Sequence, residues 1–474
     1  MAKRPMIHLL DTINGKYVYD ANKMSILSIS DELYNILDLR LKGKEPETIS
    51  AKTQKRLTAL EEDGYFQPSR VKKVEHPLTE HLDTVLGRTM TDVTLQVTQN
   101  CNLRCSYCIY SDVHNESQRS HSNRMMTKEV AFKALDFAKE NSRDSDKMAV
   151  AFYGGEPLLA FPLIKEVCAY AHEIFADKEL KFLITTNGTL LTEEIMDFLV
   201  KENFSLMISL DGPEKIHNKN RRFAKDGSGS YKTVMENMKK LKEKYPKYMD
   251  TVAVNSVIDP KNDFDTINSL YEDNEVFNVD NMQSNLIDDI FSISKIAFSA
   301  DYLIKSQYQN FLSILNYLGR MDTKNVSPIT IRSMRDLGSK INLVKNSAVL
   351  PETVAPSGPC VPGQSRLFVT VDGVLAPCER VNENSECMHI GDVDHGFNYV
   401  NIKKLLNVAQ ISENECKNCW AQLFCTSCCK FSDNNGELDA KFRLAQCPNM
   451  KATADDTLKK MILISEIKNV YGRN

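Results

Sequence analysis

The sequence predicts an α/β fold, with a partial (β/α)6 TIM barrel between a small winged-helix-like α+β module and a cysteine-rich carboxy-terminal region. Three observations predict it. Apolar and amphipathic stretches alternate six times between residues 93 and 283, an Asn14-Gly15 pair joins two short apolar runs, and ten of the 13 cysteines form two groups. Such alternation is typical of parallel βα units, and six units are fewer than the eight that close a barrel. The predicted regions are 1–75, 76–330 and 331–474.

Composition excludes several classes of protein. The chain has 474 residues, 42% of them hydrophobic, and a formal net charge of −4. This composition is typical of a globular protein and gives no electrostatic basis for binding nucleic acid. No run of about 18 apolar residues predicts a membrane span, and the first residues lack the apolar stretch of a signal peptide. We therefore expect a cytoplasmic protein whose thiols stay reduced and bind metal.

The first region combines strands and helices. Asn14-Gly15 is a strong hairpin signal between apolar runs, and a third run follows at 24–29. Ser30 can cap a helix that begins at Asp31, and a helix over 51–62 ends near Gly64. The stretch 67–77 is charged, contains two prolines and is predicted to be a linker.

The middle region supplies the parallel units. Its predicted strands are 93–98, 148–153, 181–185, 204–209, 252–257 and 276–283, and its predicted helices include 128–141, 163–175, 193–201 and 231–244.

The first cysteine group follows the first strand of this region. Cys101, Cys105 and Cys108 have the spacing CxxxCxxC. Active sites of parallel barrels lie at the carboxyl ends of the strands, in such loops. Three thiolates can bind three irons of a [4Fe–4S] cluster and leave the fourth iron open to another ligand. A zinc site is the alternative, but zinc prefers four ligands and this loop offers three.

This motif resembles that of the radical S-adenosylmethionine (SAM) superfamily. Further similarities occur at the ends of successive predicted strands. They are Tyr107 before the third cysteine, the GGEP segment Gly154, Gly155, Glu156 and Pro157, Asn187 in a TNG segment, and Ser209 and Asp211 in an SLDG segment. The resemblance implies that SAM binds the open iron and that its reductive cleavage gives a 5′-deoxyadenosyl radical. It also implies that GGEP binds the SAM amino group, that Ser209 contacts SAM, and that Arg222 binds its carboxylate, with Arg221 an equal candidate.

The second cysteine group resembles the SPASM pattern, Cx(9–15)Gx4C–gap–Cx2Cx5Cx3C–gap–C. The resemblance implies two auxiliary [4Fe–4S] clusters, and hence three in all. The outer set of ligands would be Cys416, Cys419, Cys425 and Cys447, and the inner set Cys360, Cys378 and Cys429. The inner cluster then either keeps an open iron or recruits Cys387. Structural zinc held by part of this group is the alternative.

Three other positions complete the sequence predictions. Cys428 is predicted not to be a ligand, and Cys168 is predicted to lie in a helix core. Glu379 follows Cys378 directly, as an acidic residue does in sulfatase-maturing relatives, which makes it a candidate base. The alternative is a solvated glutamate beside Arg380.

The amino-terminal module resembles the recognition elements of enzymes that modify ribosomally made peptides. A leader peptide would add a strand to its sheet; the alternative is a domain that braces the barrel. Together these resemblances imply a peptide maturase that forms thioethers, as in sactipeptides and ranthipeptides, and that takes electrons from an external reductant such as flavodoxin or ferredoxin. Carbon–carbon crosslinking of a peptide, sulfatase-type oxidation of cysteine or serine, and a non-catalytic iron–sulfur or zinc scaffold remain alternatives.

Overall fold

The computed structural model describes residues 4–111, 118–272, 274–290, 295–346, 349–356, 358, 360–364 and 366–471. The outer ends of the first and last predicted regions, 1–3 and 472–474, lie outside the described residues. Within the described part of the chain, no helix is both long enough and apolar enough to cross a membrane.

The amino-terminal elements agree with the hairpin and capping signals. Three antiparallel strands are followed by two helices: β1 (Ile7–Thr12), β2 (Gly15–Asp20), β3 (Ser25–Ile29), α1 (Asp31–Leu41) and α2 (Ala51–Glu62). Ser30 caps α1 by accepting a hydrogen bond from the amide of Leu33, as predicted. Gly64, at φ +85°, follows α2 in the left-handed conformation that ends helices.

The segment after α2 is a fixed connection. Its strand β4 (Lys73–Val74) pairs in parallel with β11 (Thr353–Val354) from the carboxy-terminal region. The side chains of Gln410 and Glu413 bind the backbone carbonyl and amide of Val74. The segment predicted to be a linker is therefore bound to the carboxy-terminal region.

Six parallel strands form the centre of the molecule, as predicted. In chain order the middle elements are α3 (Leu82–Arg88), β5 (Asp92–Thr98), α4 (Lys128–Glu140), β6 (Lys147–Gly154), α5 (Phe161–Ile174), β7 (Glu179–Thr186), α6 (Glu193–Lys201), β8 (Ser205–Ser209), α7 (Glu214–Asn220), α8 (Tyr231–Lys244), α9 (Pro246–Met249), β9 (Ala253–Ile258), α10 (Phe264–Glu272), β10 (Met282–Leu286), α11 (Ala300–Tyr317) and α12 (Pro328–Asn346). Cys168 is buried in α5, which confirms its predicted place in a core.

The predicted position of the sixth strand, 276–283, is wrong. Val276 and Phe277 are buried in a loop, and the side chain of Asn278 caps a short 3-10 turn before β10 begins at Met282. Burial rather than strand pairing explains the apolar run there, and periodicity cannot distinguish these two causes over so few residues.

The carboxy-terminal region extends the same sheet. Its elements are β11, β12 (Leu367–Val369), β13 (Val374–Ala376), β14 (Gly391–Asp392), β15 (Gly396–Phe397), α13 (Tyr399–Leu406), α14 (Glu413–Lys417), β16 (Asp433–Asn434), β17 (Glu437–Leu438), α15 (Ala440–Ala445) and α16 (Cys447–Tyr471). Within the described residues, the strands follow the order β10-β9-β8-β7-β6-β5-β12-β13-β14-β15. Because β12 pairs in parallel with β5, the cysteine-rich region adjoins the strand that precedes the first cysteine group.

Candidate functional site at the carboxyl ends of the strands

The loop of three cysteines is braced by the segment after α7. The amide of Arg104 donates to the carbonyl of Arg222 at 2.8 Å, and that of Ser106 donates to Asn220 at 3.1 Å. The amide of Cys108 donates to the carbonyl of Cys105 at 3.0 Å, which closes a turn between two of the cysteines. All three cysteines are partly buried.

Gly154 and Gly155 let the end of β6 approach this loop. A Cβ atom on Gly154 would lie 2.2 Å from the carbonyl oxygen of Thr98, and one on Gly155 would lie 2.1 Å from that of Asn100. Gly154 also has φ +150°. Glycine permits such close approach because it has no side chain. In the structure, the backbone that they admit is that of the cysteine loop.

The Glu156 carboxylate joins the second strand end to the third. It accepts hydrogen bonds from Thr186 Oγ1 at 2.6 Å and from the amide of Asn187 at 2.8 Å. Burial raises the pKa of Glu156 to about 7, and these hydrogen bonds oppose the rise. Pro157 then begins a 3-10 helix, with Glu156 as its cap.

Asn187 extends this connection to the cysteine loop. Its Nδ2 donates to Asn102 Oδ1 at 2.8 Å, and its Oδ1 accepts from Thr189 Oγ1 at 2.6 Å. Asn102 directly follows Cys101. The first, second and third strand ends therefore form one hydrogen-bonded unit.

Asp211 gathers the aromatic and basic residues at the fourth strand end. Tyr107 Oη donates to Asp211 Oδ2 at 2.6 Å, and Arg221 Nε lies 3.0 Å from Asp211 Oδ1. The Arg221 guanidinium also lies 5.5 Å from the centre of the Tyr107 ring. Burial raises the pKa of the Tyr107 hydroxyl. Ser209, at the end of β8, is buried and pairs in register with Asn255.

The two neighbouring arginines point in different directions. Arg221 is buried beside Asp211, whereas Arg222 is exposed and donates through Nη1 to the carbonyl of Gly227 at 3.2 Å. Burial raises the pKa of the Cys105 thiol, and the Arg221 guanidinium partly opposes this rise.

Sequence reasoning missed His217, which supports this arrangement. The side chain is fully buried, and its Nε2 lies 2.9 Å from Ser230 Oγ. Burial, together with the Arg221 charge, lowers the pKa of His217 to about 4, which keeps the ring neutral near pH 7. A single histidine on a short helix gives no sequence signal for this role.

A buried ion pair connects the site to the carboxy-terminal region, and it was also missed. Arg119 Nε donates to Glu383 Oε2 at 2.6 Å, and Gln96 Nε2 donates to Glu383 Oε1 at 2.6 Å. The Arg119 guanidinium lies 3.7 Å from the centre of the Tyr110 ring. Because Tyr110 lies two residues after Cys108, this contact fixes the end of the cysteine loop.

Glu379 follows β13 and lies between two arginines. Arg366 Nη2 donates to its Oε1 at 2.9 Å, and Arg380 Nε lies 3.6 Å from the same oxygen. Its side chain is 11% exposed, so it is not a freely solvated glutamate. Burial, followed by the Glu379 charge, raises the pKa of Tyr153 on β6.

The outer thiols line a common cavity. A volume of about 700 Å³ is bounded by all four predicted outer ligands, Cys416, Cys419, Cys425 and Cys447. Residues 4–7 of the amino-terminal module line the same cavity. Four thiols around one cavity are the donor set that a [4Fe–4S] cluster requires, so the residues fit the group.

The inner thiols differ in their exposure. Cys360 is exposed, Cys378 is partly buried, and Cys429 is buried. Cys387 takes a different direction, since its thiol lies 3.2 Å from Ser385 Oγ and 3.7 Å from Asp433 Oδ1.

Across the described residues, no group of three or more His, Cys, Asp or Glu side chains converges on a single ion position. A [4Fe–4S] cluster takes one thiolate on each iron, so its ligands stand apart around the cluster. Around the first loop, three thiols could bind iron. The buried Asn220 Nδ2, which has no hydrogen-bond partner among the described residues, could donate a hydrogen bond to the bound group.

Comparisons with known proteins agree with this arrangement. Residues 95–273 match the model of the radical SAM superfamily. A cysteine-type anaerobic sulfatase-maturating enzyme of Clostridium novyi (strain NT) is 26% identical over 380 residues, which are 77% of this chain and 95% of that enzyme. The radical SAM cyclopropyl synthase TigE of Paramaledivibacter caminithermalis is 31% identical over 192 residues, 39% of this chain, and the match spans only 38% of that relative.

The solved structure of native anSMEcpe with bound AdoMet and Kp18Cys peptide has the same fold. It superposes with a TM-score of 0.54 and 20% identity, covering 77% of this chain and 99% of that one. The matched residues include the cysteine loop and the three strand ends joined to it. Residues 95–273 of this chain therefore form a radical SAM domain, a family whose enzymes use SAM and a [4Fe–4S] cluster.

Proposed function

We propose that this chain is a radical SAM peptide maturase that joins a cysteine sulfur to a carbon of another residue in a ribosomally made precursor peptide. The observation that carries the proposal is the position of residues 4–7, which lead into β1 and line the cavity of the outer thiols. A peptide held by that sheet would be bound to the module that borders the auxiliary cysteines.

The amino-terminal sheet offers an edge to a leader peptide. The order β1-β2-β3 leaves β1 and β3 at the two edges, and among the described strands only β2 pairs with β3. Main-chain hydrogen bonds to such an edge give affinity, while side-chain pockets give specificity. The core of the module, around Leu33 and Leu57, is separate from the surface that packs on the carboxy-terminal region. The module thus has its own core and is also packed against the carboxy-terminal region.

The inward face of the sheet offers the reaction space. Alternate residues of β5 and β6, including Asp92, Gln96 and Tyr153, face one side, and the intervening residues are buried under the helices. Cys101, Cys105 and Cys108 would hold the SAM-binding cluster at one end of this face. The bound SAM would supply a 5′-deoxyadenosyl radical that takes a hydrogen atom from the peptide.

Arg221 is the better candidate for the SAM carboxylate. Its guanidinium is buried within the site beside Tyr107 and Asp211, whereas that of Arg222 is exposed. A buried guanidinium forms strong charge-assisted hydrogen bonds with a carboxylate.

Glu379 is the proposed proton acceptor for the substrate thiol. Arg366 orients the carboxylate, which lies next to the inner thiol Cys378 in sequence. In a balanced reaction the sulfhydryl proton goes to Glu379 and one hydrogen atom goes to the deoxyadenosyl radical. The new S–C bond forms, and the one remaining electron leaves through the auxiliary clusters.

Sulfatase-type oxidation is the second candidate. The sulfatase-maturating relative aligns over 95% of its own length, at 26% identity, which supports this candidate. That reaction would convert a cysteine or serine to an aldehyde. It would release the sulfur of a cysteine, whereas a thioether retains it.

In the test, the reconstituted and reduced protein is incubated with SAM and one of two peptides. One is a cysteine-rich precursor encoded beside the gene, and the other is a sulfatase peptide that contains cysteine. We expect 5′-deoxyadenosine and a precursor that has lost two hydrogens, keeps its sulfur and resists alkylation. An aldehyde trapped by a hydrazide, with sulfide released from the sulfatase peptide, would support the second candidate. No deoxyadenosine with either peptide would refute both.

A further inference from the structure

Arg443 places a buried positive charge at the cavity of the outer thiols. The residue is only 2% exposed, and it lines the cavity together with the four outer thiols. The other charged residues that line this cavity are Arg4, Glu415 and Lys451, and all three are exposed. Because arginine is almost never fully buried unless it is paired, the partner of Arg443 needs to be identified.

No carboxylate of the described residues is that partner. Arg221, the other arginine that is buried among them, pairs with Asp211, whereas Arg443 forms no ion pair with any described aspartate or glutamate. Asp439 is four residues earlier, but its carboxylate accepts hydrogen bonds from two amides at the start of α15 and so caps that helix. The positive charge of Arg443 is therefore not balanced by an acidic side chain.

Two backbone carbonyls hold the Arg443 guanidinium in place. Its Nη1 donates to the carbonyl of Ser427 at 3.0 Å, and its Nη2 donates to that of Pro356 at 2.7 Å. These neutral acceptors reduce the cost of burying the group but leave its charge uncompensated. Ser427 lies between Cys425 and Cys429 in the sequence, so the guanidinium is fixed against a segment that carries an outer thiol and an inner thiol.

The hydroxyl group of Ser427 also lacks a partner at this cavity. Ser427 is buried and lines the cavity, and its Oγ forms no hydrogen bond with any described residue. Buried hydroxyl groups are normally hydrogen-bonded, because an unsatisfied polar group loses its contacts with water without replacement. An unbalanced cation and an unpartnered donor at one cavity both favour a negatively charged acceptor there.

A [4Fe–4S] cluster with four thiolates is an acceptor of this kind. It carries net negative charge, and its sulfur atoms accept hydrogen bonds. Reduction adds a further negative charge, which a nearby buried cation stabilises because little water screens the interaction. A buried cation and a hydroxyl donor therefore raise the reduction potential of such a cluster.

We propose that Arg443 is the buried counter-charge of the outer auxiliary cluster and that the Ser427 hydroxyl donates a hydrogen bond to the same cluster. The inference rests on the auxiliary clusters of the proposed function and deepens it. A higher reduction potential makes the outer cluster a better acceptor for the electron that leaves the peptide. Arg443 acts through the cluster and not on the peptide itself.

The test uses the full chain with Cys101, Cys105 and Cys108 replaced by alanine, so that only auxiliary clusters form. This parent is reconstituted anaerobically and its iron is counted. Electron paramagnetic resonance recorded during a potentiometric titration then gives a reduction potential for each cluster. Cys447→Ser changes one predicted ligand of the outer cluster, so the signal that it alters is the outer signal.

Four substitutions in this parent separate charge from hydrogen bonding. Arg443→Lys keeps the charge but loses the forked contact with the two carbonyls, whereas Arg443→Gln loses the charge and keeps an amide donor. Ser427→Ala removes only the hydroxyl. Lys451→Gln is the matched control, because it removes an exposed positive charge at the same cavity, where water and salt screen it.

We expect about eight irons in the parent, in Arg443→Lys and in Lys451→Gln. Arg443→Gln should shift the outer signal to a lower potential, and Lys451→Gln and Ser427→Ala should shift it less. Loss of about four irons in Arg443→Gln, with Arg443→Lys still loaded, would also support the counter-charge.

Two results would refute the counter-charge alone. One is a parent-like outer potential in Arg443→Gln, and the other is an equal loss of potential or iron in Arg443→Gln and Arg443→Lys, which would show a purely structural role. A parent-like potential in Ser427→Ala would refute the hydrogen bond from the hydroxyl. A parent chain that binds no iron would refute the inference and the auxiliary clusters of the proposed function together.

Discussion

At the scale of single residues, Asp92 on β5 has a carboxyl group that the folded chain favours in its protonated form. Burial raises its pKa from 3.8 to about 6; Arg366 opposes the rise and Glu379 adds to it. The folded chain thus binds this proton more tightly than the unfolded chain, and protonation favours folding. The resulting stability is complete below about pH 4 and is lost as the pH rises through about 6.

Asp92→Asn should remove this pH dependence. A shift of this size corresponds to roughly 3 kcal/mol at most, since one pKa unit is worth about 1.4 kcal/mol. Urea unfolding of the metal-free chain between about pH 4 and about pH 7 measures it. The free energy of unfolding should fall more steeply with rising pH in the parent than in Asp92→Asn. Equal slopes would show that Asp92 titrates normally.

Glu379→Gln tests the proposed base. The amide keeps the shape and the contact with Arg366 but cannot accept the thiol proton, so peptide product should fall about 10²- to 10⁴-fold. Production of 5′-deoxyadenosine should persist, because the SAM site is unchanged. Glu386→Gln, an exposed glutamate of the same region, is the control and should retain activity. Full product formation by Glu379→Gln would remove the residue from the mechanism.

The sequence predicted which residues belong to the site, but it did not predict the hydrogen bonds and ion pairs that they form. Glu156 stands where the motif predicts, yet its bonds to Thr186 and Asn187 depend on two strands that meet only in the folded chain. Arg221 and Arg222 are equivalent in sequence, and only the turn after α7 buries one and exposes the other. His217 and Glu383 carry no motif at all. The assignments of the proposed ligands and SAM contacts stay predictions.

At the scale of elements, the sequence predicts features that local interactions decide and misses those that tertiary packing decides. The cap at Ser30 and the turn at Asn14-Gly15 are decided within a few residues, and the structure confirms both. The start of the predicted strand 276–283 is instead a loop, because Val276 and Phe277 pack into the core without pairing with another described strand. The pairing of β12 with β5 joins residues far apart in sequence, so no local pattern predicts it.

The Arg119–Glu383 pair tests the connection between these elements. Both side chains are less than 10% exposed, so Glu383→Ala leaves a buried guanidinium without its counter-ion. We expect a loss of about 3–5 kcal/mol in the free energy of unfolding. Glu179→Ala breaks an exposed pair with Lys147 and should cost less than about 1 kcal/mol. Equal small losses in urea unfolding would contradict the structural role of the buried pair.

At the scale of the whole molecule, the amino-terminal module is packed onto the rest of the chain. Leu10 and Tyr19 share a hydrophobic cluster with Phe424 and with Leu458 of α16. Tyr19 and Phe424 meet edge to face, with ring centres 5.7 Å apart. A substrate leader would therefore bind to a module whose position relative to the auxiliary cysteines is fixed.

Leu10→Ala should loosen this junction. Leu10 is 1% exposed, and removal of a buried leucine side chain costs about 2–5 kcal/mol. Trypsin should then cut within 67–77 faster than in the parent chain. Leu33→Ala, which alters the module's own core, is the comparison and should accelerate this cut less. The reverse order would show that the junction contributes little to holding the module.

The stack of His8 on Trp420 has a spectroscopic consequence. The rings lie 3.7 Å apart and 5° from parallel, and Trp420, which follows Cys419 directly, is the one tryptophan of the chain. All indole fluorescence thus originates where the module meets the cavity of the outer thiols. Filling that cavity with iron, or docking a leader on the module, should change the emission intensity. The unlabelled protein therefore contains an optical probe of both events, readable in an anaerobic cuvette.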